Sequence, residues 1–209
     1  MTPLLLALSF LRLEIATGRV EQQGFAAEAV PIGSLAKPFV ALAYARAHEF
    51  QYPRVKCKRC WRPNGHGELG IEGAIAQSCN TYFDTLRAAV PASQLAAVAR
   101  EFGLASLERA EPQGLVRAYV ELLRRQAEPG VAPVLNGMRH AAVDGTAREL
   151  GLEALAKTGT AACSHKPKAP GDGFALVLYP RESPRTAVLV RLHGRPGSHA
   201  AREARNLIQ

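Results

Sequence analysis

Apolar and polar residues alternate over Leu11-Arg-Leu-Glu-Ile-Ala16, and that period of two predicts a strand. Thr17-Gly-Arg19 turns the chain, and Val20–Val30 reads as the returning arm of a hairpin. From Ser34 to His48 the period changes to that of a helix with Ser34 at its amino end. Phe50–Trp61 predicts a short strand running into a basic loop, and Pro63-Asn-Gly-His-Gly67 predicts a further loop. Helical spacing then dominates: Ile71–Gln77, Thr81–Val90, Ala92–Phe102, Leu115–Gln126 and Leu135–Ala142. The last third returns to strands at Leu155–Ala162, Phe174–Tyr179 and Thr186–His193. They are broken by the loops Lys166–Gly173 and Pro180–Pro184, and a helix closes the chain at Ser198–Ile208. Strands at both ends with helices between them predict an α+β fold. The early hairpin pairs with the late strands in one antiparallel sheet, helices flank both faces, and a helical lobe of about residues 65–150 stands to one side of a cleft.

Composition fits one globular domain over residues 1–209: the chain is 47% hydrophobic and 21% charged, without repeats or low-complexity tracts. Its longest apolar run, near Leu4–Leu11, is far short of the ~20 residues a membrane helix needs. That segment also lacks the basic flank and small-residue cleavage site of a signal peptide. A net charge of +8 favours anionic partners. The basic stretch Arg54–Arg62 reads as a solvated face or a contact for anions. Nucleic acid is not expected, because Tyr52 and Trp61 are too few for a stacking platform.

No cofactor and no metal are expected. The only aspartates, Asp84, Asp144 and Asp172, are scattered, so no carboxylate cage is visible. Cys57 and Cys60 form a C-x-x-C, but the second pair of a zinc ribbon is missing. A disulfide or a reduced structural pair is the leading reading, with a zinc half-site using His66 behind it and a redox motif last. Cys79 reads as buried packing, His66 as structural, and Cys163 as free or near Lys157-Thr-Gly.

Three short motifs carry candidate chemistry. Ser34-Leu-Ala-Lys37 puts a hydroxyl and an amine one helical turn apart, and a desolvated lysine can lose its proton and serve as a base. Ser78-Cys79-Asn80 offers a hydroxyl and an amide at a helix junction, although either residue could simply cap a helix. Lys157-Thr-Gly-Thr160 sets Thr158 and Thr160 on one face of a strand, with Gly159 leaving room for a ligand backbone; a strand bend with solvated threonines is the plainer alternative. Each motif alone is weak. All three in this order arise by chance in roughly one chain in ten thousand.

The set resembles the transpeptidase domain of penicillin-binding proteins, related to the serine β-lactamases. Gly33-Ser-Leu-Ala-Lys-Pro-Phe39 is similar to that family's nucleophile segment, and Gly65–Phe83 to the approach to its second motif. Gly145-Thr-Ala147, Asp172-Gly-Phe174 and the closing strands and helix are similar to its carboxyl-terminal part, so the resemblance runs from about Leu11 to Gln209. It implies a compact form without the family's usual amino-terminal domain and membrane anchor, acting in the cell envelope. By that resemblance Ser34 is the acylated nucleophile, Lys37 its base and Ser78 the proton relay, with Asn80 on the substrate backbone. Lys157 holds Ser78 and keeps the site positive, Thr158 and Thr160 take the terminal carboxylate, and the Ser34 and Thr160 N–H groups form the oxyanion hole. The implied ligands are a D-Ala-D-Ala stem peptide of peptidoglycan or a β-lactam. Peptidoglycan acyl transfer ranks ahead of β-lactam hydrolysis or a non-catalytic binding module. No segment matches the glutamate loop of class A β-lactamases, for which Glu108 and Glu111 are the nearest candidates.

Overall fold

The computed structural model describes residues 8–26, 28–163 and 168–208. The start of the amino-terminal apolar run and the Lys166-Pro167 part of the late loop lie outside the described residues. Five strands form one antiparallel sheet: β1 (Leu8–Glu14), β2 (Val20–Gln23), β7 (Leu155–Ala161), β8 (Asp172–Tyr179) and β9 (Thr186–His193), in the order β2-β1-β9-β8-β7. The chain's two ends therefore meet, with Leu8 opposite Leu192 and Leu13 opposite Ala187.

Alternation along each strand divides the apolar residues between two layers. Leu11, Leu13, Leu155, Phe174, Leu176 and Leu189 belong to the core on one face. Phe10, Ala156, Ala175, Val177, Val188 and Val190 belong to the core on the other. β8 is buried from Asp172 through Leu178, which explains its unbroken apolar run, as in any strand covered on both sides. The second face is covered by α7 (Gly197–Ile208) through Ala200, Ala201, Ala204 and Ile208, small residues that let the helix lie close to the sheet. The first face is covered by α1 (Lys37–Ala47) and α5 (Pro112–Arg124). α1 is apolar nearly all round because it is enclosed by the sheet and by the mid-chain helices. Phe39, fully buried, packs its ring 5.4 Å from Tyr119 and 5.2 Å from Phe102.

The mid-chain helices are α2 (Ile71–Ala76), α3 (Asn80–Ala88), α4 (Ala92–Glu101), α5 and α6 (Val131–Val143). α5 and α6 begin three and four residues before the periodic signal does. Pro112 and Pro133 sit in their first turns, where a missing N–H costs nothing. Two short ribbons escape the periodicity. β3 (Val30–Pro31) pairs with β6 (Arg109–Ala110), and β4 (Val55–Cys57) pairs with β5 (Gly67–Leu69). The first corrects the hairpin: its return arm ends at Gln23 rather than Val30. Phe25 there turns into the core beneath the Arg191 guanidinium, 5.0 Å from its ring, and the chain leaves the sheet. The second places a strand where Gly67 reads as loop, because three residues are too few to alternate.

Candidate active site

The Ser34 motif opens as a 3₁₀ turn, Gly33–Ala36, and continues directly into α1. Lys37 takes helical angles (φ −56°, ψ −40°) although Pro38 follows it, so tertiary packing overrides the local preference against them. The turn is wedged against β7. Gly33 has φ +51°, and a Cβ there would stand 2.8 Å from the Thr160 carbonyl oxygen. A Cβ on Gly159 would meet Ile32 O and Leu35 at 3.4 Å, so the room left by that glycine is taken by this turn. From the other side, the buried Tyr119 hydroxyl donates to Leu35 O at 2.8 Å. The turn carrying Ser34 is thus held between the β7 backbone on one flank and the Tyr119 hydroxyl on the other.

Ser78, Cys79 and Asn80 join α2 to α3. Neither Ser78 nor Asn80 caps a helix: Cys79 is the N-cap of α3, without a side-chain capping bond. Their polar groups point elsewhere. Lys37 Nζ donates to Ser78 O at 2.7 Å, to Ser78 Oγ at 3.2 Å and to Asn80 Oδ1 at 2.7 Å. Lys157 Nζ, from β7, donates to Ser78 Oγ at 2.8 Å and to Thr158 O at 2.7 Å. Ser78 has φ +48°, a left-handed conformation that costs a non-glycine residue about 1–2 kcal/mol. Such strain persists only where the surroundings impose it, and here two lysines grip the side chain.

These groups are nearly dry: Lys157 is 0% exposed, Ser78 7% and Lys37 8%. Burial lowers the pKa of Lys37 from 10.5 to about 8, against weaker opposing effects from Cys79, Asp84 and Cys60. Burial, and then the charge of Lys37, push Lys157 well below its ordinary value. Burial of both amines thus weighs against two full positive charges in the site at once.

Ser34, Ser78, Asn80, Thr158, Gly159 and Thr160 line one cavity of about 370 Å³ between β7, α7 and the mid-chain helices. Thr158 Oγ1 donates to Thr146 Oγ1 at 2.6 Å, whereas Thr160 Oγ1 accepts from the Gly197 N–H at 3.3 Å. Trp61, Thr146, Arg148 and Glu149 also line the cavity, and motif spacing did not single them out as site residues. Trp61 has the clearest physical signature: a half-exposed indole pinned by Nε1 to Ser78 O at 3.1 Å and Gln77 O at 3.2 Å. Glu149 is paired with Arg202 at 2.6 Å. Glu108 and Glu111 are both exposed and are not among the lining residues.

Of the two leading readings of Cys57 and Cys60, the structure carries the reduced pair, and Cys79 is buried beside it: Cys57, Cys60, His66 and Cys79 bring one donor atom each within 4.8 Å of one another. The sequence spacing hides this because α2 lies between His66 and Cys79 and folds the chain back. Cys163 donates to Lys168 O at 3.1 Å and groups with Asp172 and His193, whose side chains meet at 2.8 Å.

No protein-family profile and no curated protein sequence matches the chain. Solved structures do. Pseudomonas aeruginosa PBP2, in complex with WCK 5153, superposes over 98% of this chain and 71% of its own, with TM-score 0.81 and 19% identity. The transpeptidase domain of the FtsI4 D,D-transpeptidase from Legionella pneumophila matches 97% of this chain and 88% of its own, with TM-score 0.72 and 15% identity. Helicobacter pylori penicillin-binding protein PBP2, solved with MreC, matches 97% of this chain and 60% of its own, with TM-score 0.77 and 15% identity. At such identities the likeness is one of architecture, and by architecture the chain is a compact penicillin-binding-protein transpeptidase-domain fold.

Proposed function

We propose that the chain is a serine acyltransferase that acts on D-Ala-D-Ala peptides of peptidoglycan through an acyl-enzyme on Ser34. The observation that carries this reading is Ser78 Oγ held by both Lys37 and Lys157 at the edge of the cavity that Ser34 lines. Neutral Lys37 takes the Ser34 proton as Oγ attacks the penultimate D-Ala carbonyl. The oxyanion forms toward the Ser34 and Thr160 N–H groups; β7 is a sheet edge, so half its backbone groups have no strand partner. The C–N bond breaks, and the departing D-Ala amine takes a proton from Ser78, replenished from Lys37. Lys157 positions Ser78, and Asn80 holds both Lys37 and the substrate backbone. Thr160 receives its hydrogen bond from Gly197 and so keeps its own O–H for the substrate carboxylate. Thr158 commits its proton to Thr146 and must turn to share that task. Arg148 adds positive charge to the same wall.

Release of the acyl group to an amine gives cross-linking, and release to water gives carboxypeptidase activity. β-Lactam hydrolysis needs a base free to activate water, and Glu149, the one acid among the described lining residues, is engaged with Arg202. This substrate assigns the chain to the cell envelope; among the described residues no helix is long and apolar enough to cross a membrane. A fluorescent penicillin should label Ser34, and Ser34→Ala should abolish the label in folded protein. D-Ala release from a D-Ala-D-Ala peptide then separates an enzyme from a binding module. Folded wild-type protein that takes no label defeats the proposal.

A further inference from the structure

The cysteine cluster stands beside the acyl-transfer groups and takes no part in the chemistry above. Cys57 ends β4, Cys60 and His66 lie on the loop that closes the β4–β5 ribbon, and Cys79 sits between Ser78 and Asn80. His66 Nδ1 is 3.6 Å from Cys57 Sγ and 3.3 Å from Cys60 Sγ. A tetrahedral zinc, about 2.3 Å from sulfur and about 2.0 Å from nitrogen, sets such donors about 3.5 Å apart. The two observed spacings bracket that value. His66 Nε2 is buried and has no hydrogen-bond partner among the described residues, so the ring is directed by what Nδ1 faces. All three thiols are free of disulfides.

We propose that Cys57, Cys60, His66 and Cys79 bind one structural zinc ion, and that this ion fixes the Ser78–Asn80 segment in the cleft. Three sulfurs and an imidazole are soft donors that select zinc over magnesium or calcium. Four protein ligands leave no open position, which makes the site structural rather than catalytic. Binding replaces each thiol proton by a bond to the metal and releases three protons, leaving a centre of net charge −1. The basic residues Lys56, Lys58, Arg59 and Arg62, interleaved with the ligands, supply the compensating charge and give this stretch a purpose nucleic-acid binding does not. The loop is built to close: Gly65 has φ +65°, and a Cβ there would collide with Cys57 O and the Lys58 backbone. His66 N–H donates to Cys57 O at 3.1 Å, and Thr81 Oγ1 ties Arg59 O to α3 at 2.9 Å. A metal bond at Cys79 would brace the adjoining left-handed Ser78, whose hydroxyl the two lysines hold. The metal site stands without the acyl-enzyme reading, whereas its effect on acylation rests on it.

Elemental analysis of the whole chain, purified under reducing conditions, should return about one zinc per molecule. Cobalt exchange should give the thiolate charge-transfer and strong visible bands of a tetrahedral site. Cys60→Ser, at a half-buried position, should lose both, and Cys163→Ser should keep both. Folded, reduced wild-type protein that carries no zinc and takes up neither zinc nor cobalt overturns the site, as does a Cys57–Cys60 disulfide in protein that labels at full rate. Chelation should slow penicillin labelling by about tenfold or more, with recovery on adding zinc. Unchanged labelling after the metal is removed overturns the bracing role. Metal-loaded protein that never labels overturns the acyl-enzyme reading and supports the metal site, so the two failures are told apart.

Discussion

Lys37 Nζ has three oxygens within 3.2 Å, Ser78 O, Ser78 Oγ and Asn80 Oδ1, enough to satisfy an ammonium fully. A neutral amine keeps two of those bonds as donor and presents a lone pair to a hydroxyl. Burial decides how often the second state occurs: with a pKa of about 8, roughly a tenth of the molecules hold neutral Lys37 at neutral pH. The rate of penicillin labelling should therefore rise about tenfold per pH unit below that value and level off above it. A flat time-course profile across this range would remove Lys37 as the base. Ser78 allows its strain to be separated from its chemistry. Ser78→Ala and Ser78→Gly both lose the hydroxyl and slow acylation, but only glycine is relaxed at φ +48°. Urea unfolding should find the glycine variant more stable than the alanine variant by about 1 kcal/mol. The motifs were legible because each keeps its residues within a few positions. Trp61 was not, since its bonds to Gln77 and Ser78 span 16 and 17 positions.

The turn Gly33–Ala36 and strand β7 depend on each other at the level of elements. Gly33 fits only without a side chain, close against Thr160 O, and the turn's far flank is held by Tyr119. Gly33→Ala should cost at least about 1 kcal/mol in urea unfolding. It should slow labelling by more than that loss of stability explains, because Ser34 is displaced with the turn. An alanine variant with wild-type labelling would show that the turn tolerates the shift. Periodicity placed the seven α-helices and the five sheet strands among the described residues, since each holds enough residues to repeat. It missed β3, β5 and β6, ribbons of two or three residues stabilised by partners rather than by pattern. It also could not tell that the Ser78 and Asn80 side chains reach a distant lysine instead of capping α3.

For the whole molecule, the buried lysines are a cost that depends on pH. Lys37 titrates near 8 in the folded chain and near 10.5 when unfolded, so protonation favours the unfolded state. The penalty is fully present below about pH 8, shrinks as pH rises and is gone above about 10.5; at roughly 1.4 kcal/mol per unit it reaches about 3 kcal/mol. Lys157 acts in the same direction. Lys37→Met should therefore be stabilised relative to wild type at about pH 7, and the gap should narrow by about pH 9 in paired urea titrations. A constant gap would mean that Lys37 stays charged in the fold across this range. The amino-acid sequence by itself determined the elements, their order and the three motifs, because alternation, helical spacing and short-range chemistry are local properties of the chain. Only the tertiary structure decided that α2 folds back to bring Cys79 onto Cys57, Cys60 and His66, and that two lysines 120 positions apart share one serine hydroxyl, 41 and 79 residues from them. Those meetings follow from the packing of the sheet against buried α1, and burial, which no spacing records, is what turns lysines and thiols into chemistry.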